Sequence, residues 1–192
     1  TEHRFPDLPI VAVGHSLGGH ALILGAGGER VSRFIIAATH LPVTRRITPS
    51  AERRRVAMVL NVLGPALSRV LGFMPGRRLG LGEDIPAAAM LEWGRWARMP
   101  QYFFSDPTMD AAARASAFTG DVLAMGASDD PWSSARQIDA LTAHLTSARV
   151  ERRTITPAEV GVERLGHHGL FRRGVGDRAW PEMLAWLTET RS

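Results

Sequence analysis

The 192-residue chain contains no cysteine and no lysine. Without cysteine, disulfides, thiol catalysis and cysteine-based metal sites are excluded, and the composition fits a reducing cytoplasm. Without lysine, all 23 basic residues are arginine. Beside the abundant alanine, this reads as the bias of a GC-rich coding sequence. The net charge of +4 is spread among 19 interspersed acidic residues. No basic-aromatic interleaving or nucleic-acid motif accompanies it, so no nucleic acid is expected as a partner. Clusters such as Arg53-Arg54-Arg55 and Arg77-Arg78 read as solvated faces. Long apolar runs are missing as well. The nearest, Val56 to Met74, carries Asn61, Gly64, Pro65, Ser68 and Arg69 in its middle, so no transmembrane segment is expected. What remains is a composition of 45% hydrophobic and 22% charged residues, ordinary for a globular chain with a sizeable core.

The most informative stretch runs Ile10-Val-Ala-Val-Gly-His-Ser-Leu-Gly-Gly19. Ile10 to Val13 has the composition of a buried strand, and His20 to Ala26 that of a helix. Between them lies Gly14-His15-Ser16-Leu17-Gly18, a G-x-S-x-G turn. With 19 glycines in the chain, composition alone gives about 0.1 chance matches to this pattern, so its placement between strand and helix decides the matter. Such a turn lifts the Ser16 hydroxyl clear of the backbone, and glycine two before and two after it is expected to avoid a Cβ clash. The N–H of Leu17, at the start of the helix, would face an oxyanion developing beside Ser16.

Val31 to Ala38 reads as a second buried parallel strand, and Gly27-Gly28 as the C-cap that ends the first helix. Strand, helix and strand then make a βαβ unit. Residues 42–118 break this rhythm with six prolines from Pro49 to Pro107 that punctuate helix-like segments, at 50–63, 66–73, 86–98 and 110–117, and read as a helical cap or lid insertion. The βα alternation resumes with a strand at 121–127, a helix at 133–145, a strand at 148–156 and a closing helix at 179–190. The core is thus expected in residues 1–41 and 119–192.

A serine is a weak nucleophile until a base takes its proton, and that base must be oriented by a third group. The strand at 121–127 runs into Ser128-Asp129-Asp130-Pro131-Trp132, which places two candidate carboxylates, Asp129 and Asp130, at the end of a parallel strand. One of them is expected only to cap the following helix. Gly166-His167-His168-Gly169, between the last strand and the last helix, offers two candidate bases. Adjacent histidines point different ways and no carboxylate sits at useful spacing, so no metal is expected. His15 and His40, at strand ends, and Trp132, beside the acids, are candidate pocket residues.

The order of serine, acid and histidine at successive strand ends resembles the C-terminal two-thirds of an α/β-hydrolase. More narrowly, the chain is similar to a bacterial family of predicted α/β-hydrolases. The matching stretches are Arg4 to Gly19, Leu79 to Asp84, Gln101 to Phe104, Asp129 to Trp132 and Leu165 to Arg172. The resemblance implies an α/β fold with a mostly parallel sheet flanked by helices and a helical cap insertion. It implies a triad of Ser16, Asp130 and His167, with Asp129 and His168 as alternates, and no cofactor. It also implies strands before Ser16 and a loop with a second oxyanion donor, which this sequence does not contain; Thr1 is therefore read as a cut end. The strand at Ile10 would then present an unpaired edge open to self-association. The expected activity is hydrolysis of a small carboxylic ester or related acyl compound through an acyl-enzyme. Trp93, Trp96, Phe103 and Phe104, with Trp132, point to an apolar acyl group. Two rivals are a hydrolase-fold protein that binds without turnover and a lipid-surface module acting through Val56 to Met74.

Overall fold

Three largely apolar segments and one arginine-rich segment become four parallel strands in the computed structural model, which describes residues 8–25, 31–79 and 83–189. The strands are β1 (Ile10–His15), β2 (Val31–Ala37), β3 (Asp121–Ala127) and β4 (Arg149–Ile155), hydrogen-bonded in that order. Every residue of β3 is buried, as a central strand covered on both faces requires. Odd-numbered side chains such as Ile35, Leu123 and Met125 point into a core that includes Leu165, Met183 and Trp186. The even-numbered face meets the helix at residues 135–142, so closely that a Cβ on Gly126 would lie 2.6 Å from Ile138 Cδ1.

Strand β1 lies at the sheet edge, as expected, but without the burial that its composition suggests. Its sequence predicts a buried strand, yet Val11 and Val13 are 40% and 45% exposed. The reason is its place at the edge: among the described residues β1 pairs with β2 alone. At the opposite edge β4 carries Arg149, Arg152 and Arg153 paired with Asp121, Asp139, Glu159 and Glu182, a charged margin that disfavours further strand addition. Helix α1 (Leu17–Ile23) follows β1 directly. The Gly27-Gly28 cap, Ala26, and parts of the Arg4–Gly19 and Leu79–Asp84 stretches lie outside the described residues.

Residues Pro42–Asp110 form a compact unit of their own. Helix α2 (Ser50–Met58) widens into a π turn at Val59–Leu63 and continues as α3 (Gly64–Leu71), where the sequence suggests plain α-helix to residue 63. Pro65 explains the widening: it has no N–H to donate, and its ring crowds the carbonyl of Asn61 one turn earlier. A two-residue ladder, Phe73–Met74 with Ile85–Pro86, reverses the chain into α4 (Ala87–Arg98). The two helical segments approach closely at Gly64 and Gly94, where an added Cβ would meet Met90 Cε at 2.3 Å and the Leu60 carbonyl at 2.6 Å. Trp96, Tyr102, Phe103 and Phe104 pack ring to ring in this unit, with Tyr102 and Phe103 buried. Asp106 ties them down, accepting hydrogen bonds from Trp96 Nε1, Thr108 and Arg95. No described helix is long and apolar enough to cross a membrane.

Helix α5 (Ala111–Ser116) groups with the sheet rather than with the insertion that the sequence assigns it to. Its Arg114 donates to the Leu24 carbonyl at the end of α1, and Ala111 and Ala115 are buried. Helices α6 (Ala135–Thr142) and α7 (Trp180–Thr188) complete this unit. Arg33 clamps the end of α7 to the start of the sheet. Its guanidinium bonds Asp121 Oδ2 at 3.1 Å and the carbonyls of Trp186 and Glu189, and it lies 4.9 Å from the Trp186 ring centre. Its side chain is 9% exposed, so removal takes this donor from the carbonyls of Trp186 and Glu189 and leaves Asp121 with Arg149 as its partner. Replacing Arg33 by Met is expected to lower unfolding free energy by about 2 kcal/mol in a urea titration. A loss below about 1 kcal/mol would contradict the clamp.

Candidate active site

Ser16 has φ 51° and ψ −115°, a conformation that an L-residue holds only when its surroundings impose it. The imposition is visible on three sides. Its N–H donates to the Ala37 carbonyl at 2.9 Å, which continues the β1–β2 ladder past the strand end. Its carbonyl accepts from Gly19 N at 3.0 Å and from the buried Thr39 hydroxyl at 3.1 Å. Behind it the strand and helix nearly touch: a Cβ on Gly14 would lie 2.6 Å from Gly19 N, and one on Gly19 would lie 2.0 Å from Thr39 Oγ1. Gly18 corrects the sequence reading, because nothing lies within 4 Å of its would-be Cβ. The steric requirement falls on Gly14 and Gly19, and Gly18 faces open space. Leu17 opens α1 beside Ser16, with its side chain 56% exposed.

Ser16, His167 and Asp130 come together although 151 residues separate the first two. His167 Nδ1–H donates to Asp130 Oδ2 at 2.7 Å, which leaves Nε2 to accept from the Ser16 hydroxyl at 3.0 Å. The Asp130 side chain is fully buried and that of His167 is 9% exposed. Burial alone would raise the Asp130 carboxyl. Hydrogen bonds from His167 and from the Trp132 and Ser133 N–H groups outweigh that and hold it below the ordinary carboxylate value.

Asp129 sits next to this arrangement and does something else. Its two oxygens accept the N–H groups of Leu165 at 2.9 Å and Gly166 at 3.0 Å, so it grips the backbone just ahead of His167. The sequence offered the two acids as competitors; in the structure they divide the work. His15 holds the same loop from β1. Its Nε2 donates to the His167 carbonyl at 2.9 Å, and burial keeps its ring below the ordinary histidine value. His168 packs against His15 with ring centres 5.2 Å apart and lies perpendicular to His167 at 5.0 Å. Trp132 tilts against His167 at 5.1 Å, and Phe171 meets His15 edge-on at 5.2 Å. Thr39 is the member that no sequence signal marked.

His40 lies near the site but buried, its ring perpendicular to His167 at 5.8 Å and its backbone carbonyl accepting from His20 Nε2 at 2.7 Å. Burial pushes His20 down to about 4 and, with repulsion from His167 and His20 added, His40 down to about 3. Among the described residues no group of three or more acidic or histidine side chains could hold a metal ion.

No protein-family model matches the chain, and no curated protein does. Its fold is similar to that of a monoacylglycerol lipase from Paleococcus ferrophilus, with a TM-score of 0.52 and 16% identity over 92% of this chain and 67% of that one. It is similar as well to an esterase from Exiguobacterium antarcticum, with a TM-score of 0.53 and 16% identity over 98% of this chain and 70% of that one. At such identity the likeness is one of fold.

Two outcomes follow from this geometry. Gly18→Ala should leave stability unchanged or raise it by up to about 1 kcal/mol, because alanine favours a helix and meets no neighbour. Gly19→Ala should cost about 2 kcal/mol, because its Cβ overlaps the buried Thr39 side chain. Equal urea midpoints for the two variants would contradict the assignment. Acidification supplies the second. His20 and His40 stay neutral in the folded chain below 6.5, where an unfolded histidine takes up a proton. Stability is therefore complete above about pH 6.5 and falls as pH drops toward 4, by on the order of 1.4 kcal/mol per pH unit per ring. Urea midpoints measured from pH 7 to 4.5 should decline; a flat profile, above the range where carboxylates titrate, would contradict burial of the two rings.

Proposed function

We propose that this chain, which has the α/β-hydrolase fold, carries the catalytic machinery of a serine hydrolase that cleaves carboxylic esters through an acyl-enzyme. The observation that carries this reading is the hydrogen-bonded series from Ser16 Oγ through His167 to the buried Asp130. Ser16 Oγ attacks the ester carbonyl carbon while His167 Nε2 takes the hydroxyl proton. Asp130 holds the imidazole in the required tautomer and stabilises the imidazolium that forms. The carbonyl oxygen becomes an oxyanion facing the Leu17 N–H, and one such donor is worth a factor of about a hundred to a thousand in rate. Collapse of the tetrahedral species breaks the ester C–O bond, and the alcohol leaves with the proton from Nε2. Water then attacks the Ser16 ester with His167 again as base, releasing the acid and restoring the serine.

Trp132 against His167 and Phe171 against His15 surround the reacting atoms with apolar rings, which supports a substrate with an apolar acyl chain. The lid role of the helical insertion belongs to the same proposal. Rapid mixing of the 192-residue chain with p-nitrophenyl butyrate should give a burst of p-nitrophenol that approaches one equivalent, followed by slower turnover. Ser16→Ala should abolish both phases, and His167→Ala should reduce them by about a thousandfold or more. Unchanged hydrolysis by folded Ser16→Ala would overturn the assignment of the nucleophile. No hydrolysis by the folded wild-type chain would favour a protein of this fold that binds without turnover.

A further inference from the structure

We propose that the groove between α3 and α4, within residues 42–110, binds a phosphate monoester that carries an apolar group. The sequence prepares both walls. Asn61, Pro65 and Arg69 recur at helical spacing along the π turn and α3, and Leu91, Arg95 and Arg98 recur along α4. The ladder between these segments makes them antiparallel, so that Asn61 meets Arg98 at one end. The six side chains line a depression of about 530 Å³.

Its chemistry is lopsided. Arg98 Nη1 donates to Asn61 Oδ1 at 2.7 Å, which uses the acceptor of that amide and leaves its N–H₂ as a donor. Arg95 is matched by Asp106, with Glu92 at 3.6 Å, and Asp106 is already bonded by Trp96 and Thr108. Arg69 and Arg98 have no ion pair among the described residues. Two uncompensated guanidiniums and an amide therefore border one groove as donors, with Leu91 and Pro65 as its apolar lining. A carboxylate would satisfy one guanidinium; a phosphate monoester brings up to two charges and three terminal oxygens, enough for two guanidiniums and the amide together. The apolar lining selects an ester over inorganic phosphate. All six residues lie outside the unit that holds Ser16, Asp130 and His167, and the proposal does not depend on the reading of that triad.

Calorimetric titration of the full chain with octyl phosphate, below its micelle concentration, tests this. One saturable site is expected, weakened by added salt, and inorganic phosphate should compete weakly while octanol does not compete. Arg69→Gln with Arg98→Gln should weaken binding roughly tenfold or more, and Arg69→Lys should weaken it less. Ser16→Ala should bind as the wild type does, which separates this groove from the proposed catalytic serine. Sedimentation with phosphatidylcholine vesicles, with and without phosphatidic acid, decides the source. Arginine-dependent capture by the acidic vesicles assigns a lipid headgroup, and its absence alongside octyl phosphate binding assigns a soluble ester. No saturable binding by the wild type, or equal binding by the double variant with an unchanged circular dichroism spectrum, would overturn the proposal.

Discussion

The turn at Ser16 is the constraint on which the site depends. A strand must become a helix within one residue, and the backbone can do so only where Gly14 lets β1 meet α1, and Gly19 lets α1 meet Thr39, at less than a side chain's width. Those contacts fix Ser16 at positive φ, a conformation that costs on the order of 1–3 kcal/mol and is held by bonds to Ala37, Gly19 and Thr39. The neighbouring ladder carries the same alignment across the sheet. Ala38 N bonds the Met125 carbonyl and Ser128 N bonds the Ile155 carbonyl, so the strands end level with one another. Loops leaving a level edge bring Ser16, His40 and the two acids to one rim, where an open parallel sheet builds its sites.

Precision at that rim comes from groups that touch the backbone of the histidine loop. Asp129 grips the N–H groups ahead of His167 and His15 holds its carbonyl, so the imidazole is located before its own side chain makes any bond. Asp130 then needs only to face Nδ1 from a buried position. Two adjacent carboxylates thus serve different ends, one as an acceptor for main chain and one as a partner for a ring. The desolvation that disfavours a buried carboxylate is offset at Asp130 by three directed donors.

Much of this was legible in the sequence because local rules carried it. The four strands and the closing helix fall within one or two residues of the bounds read from the chain, and Ser16 after β1, Asp130 after β3 and His167 between β4 and α7 keep the order read there. What escaped depended on contacts between distant segments. Gly18 and Gly19 are indistinguishable as letters, and only Thr39, twenty residues away, decides which of them must lack a side chain. Val11 and Val13 look like core residues, but exposure is set by the strand's place at the sheet edge. The π turn at Val59–Leu63 arises from Pro65, and periodicity cannot register one inserted residue. Helix α5 carries no signal of allegiance in its alanines; Arg114 reaching the end of α1 settles it.

The central claim is that Ser16 is an activated nucleophile whose reactivity comes from His167. Incubation of the 192-residue chain with a fluorophosphonate, followed by mass spectrometry of its peptides, tests this most directly. The account predicts a single phosphonyl adduct on Ser16, lost in Ser16→Ala and strongly slowed in a folded His167→Ala variant. An adduct elsewhere, or labelling of Ser16 that proceeds equally well without His167, would contradict it.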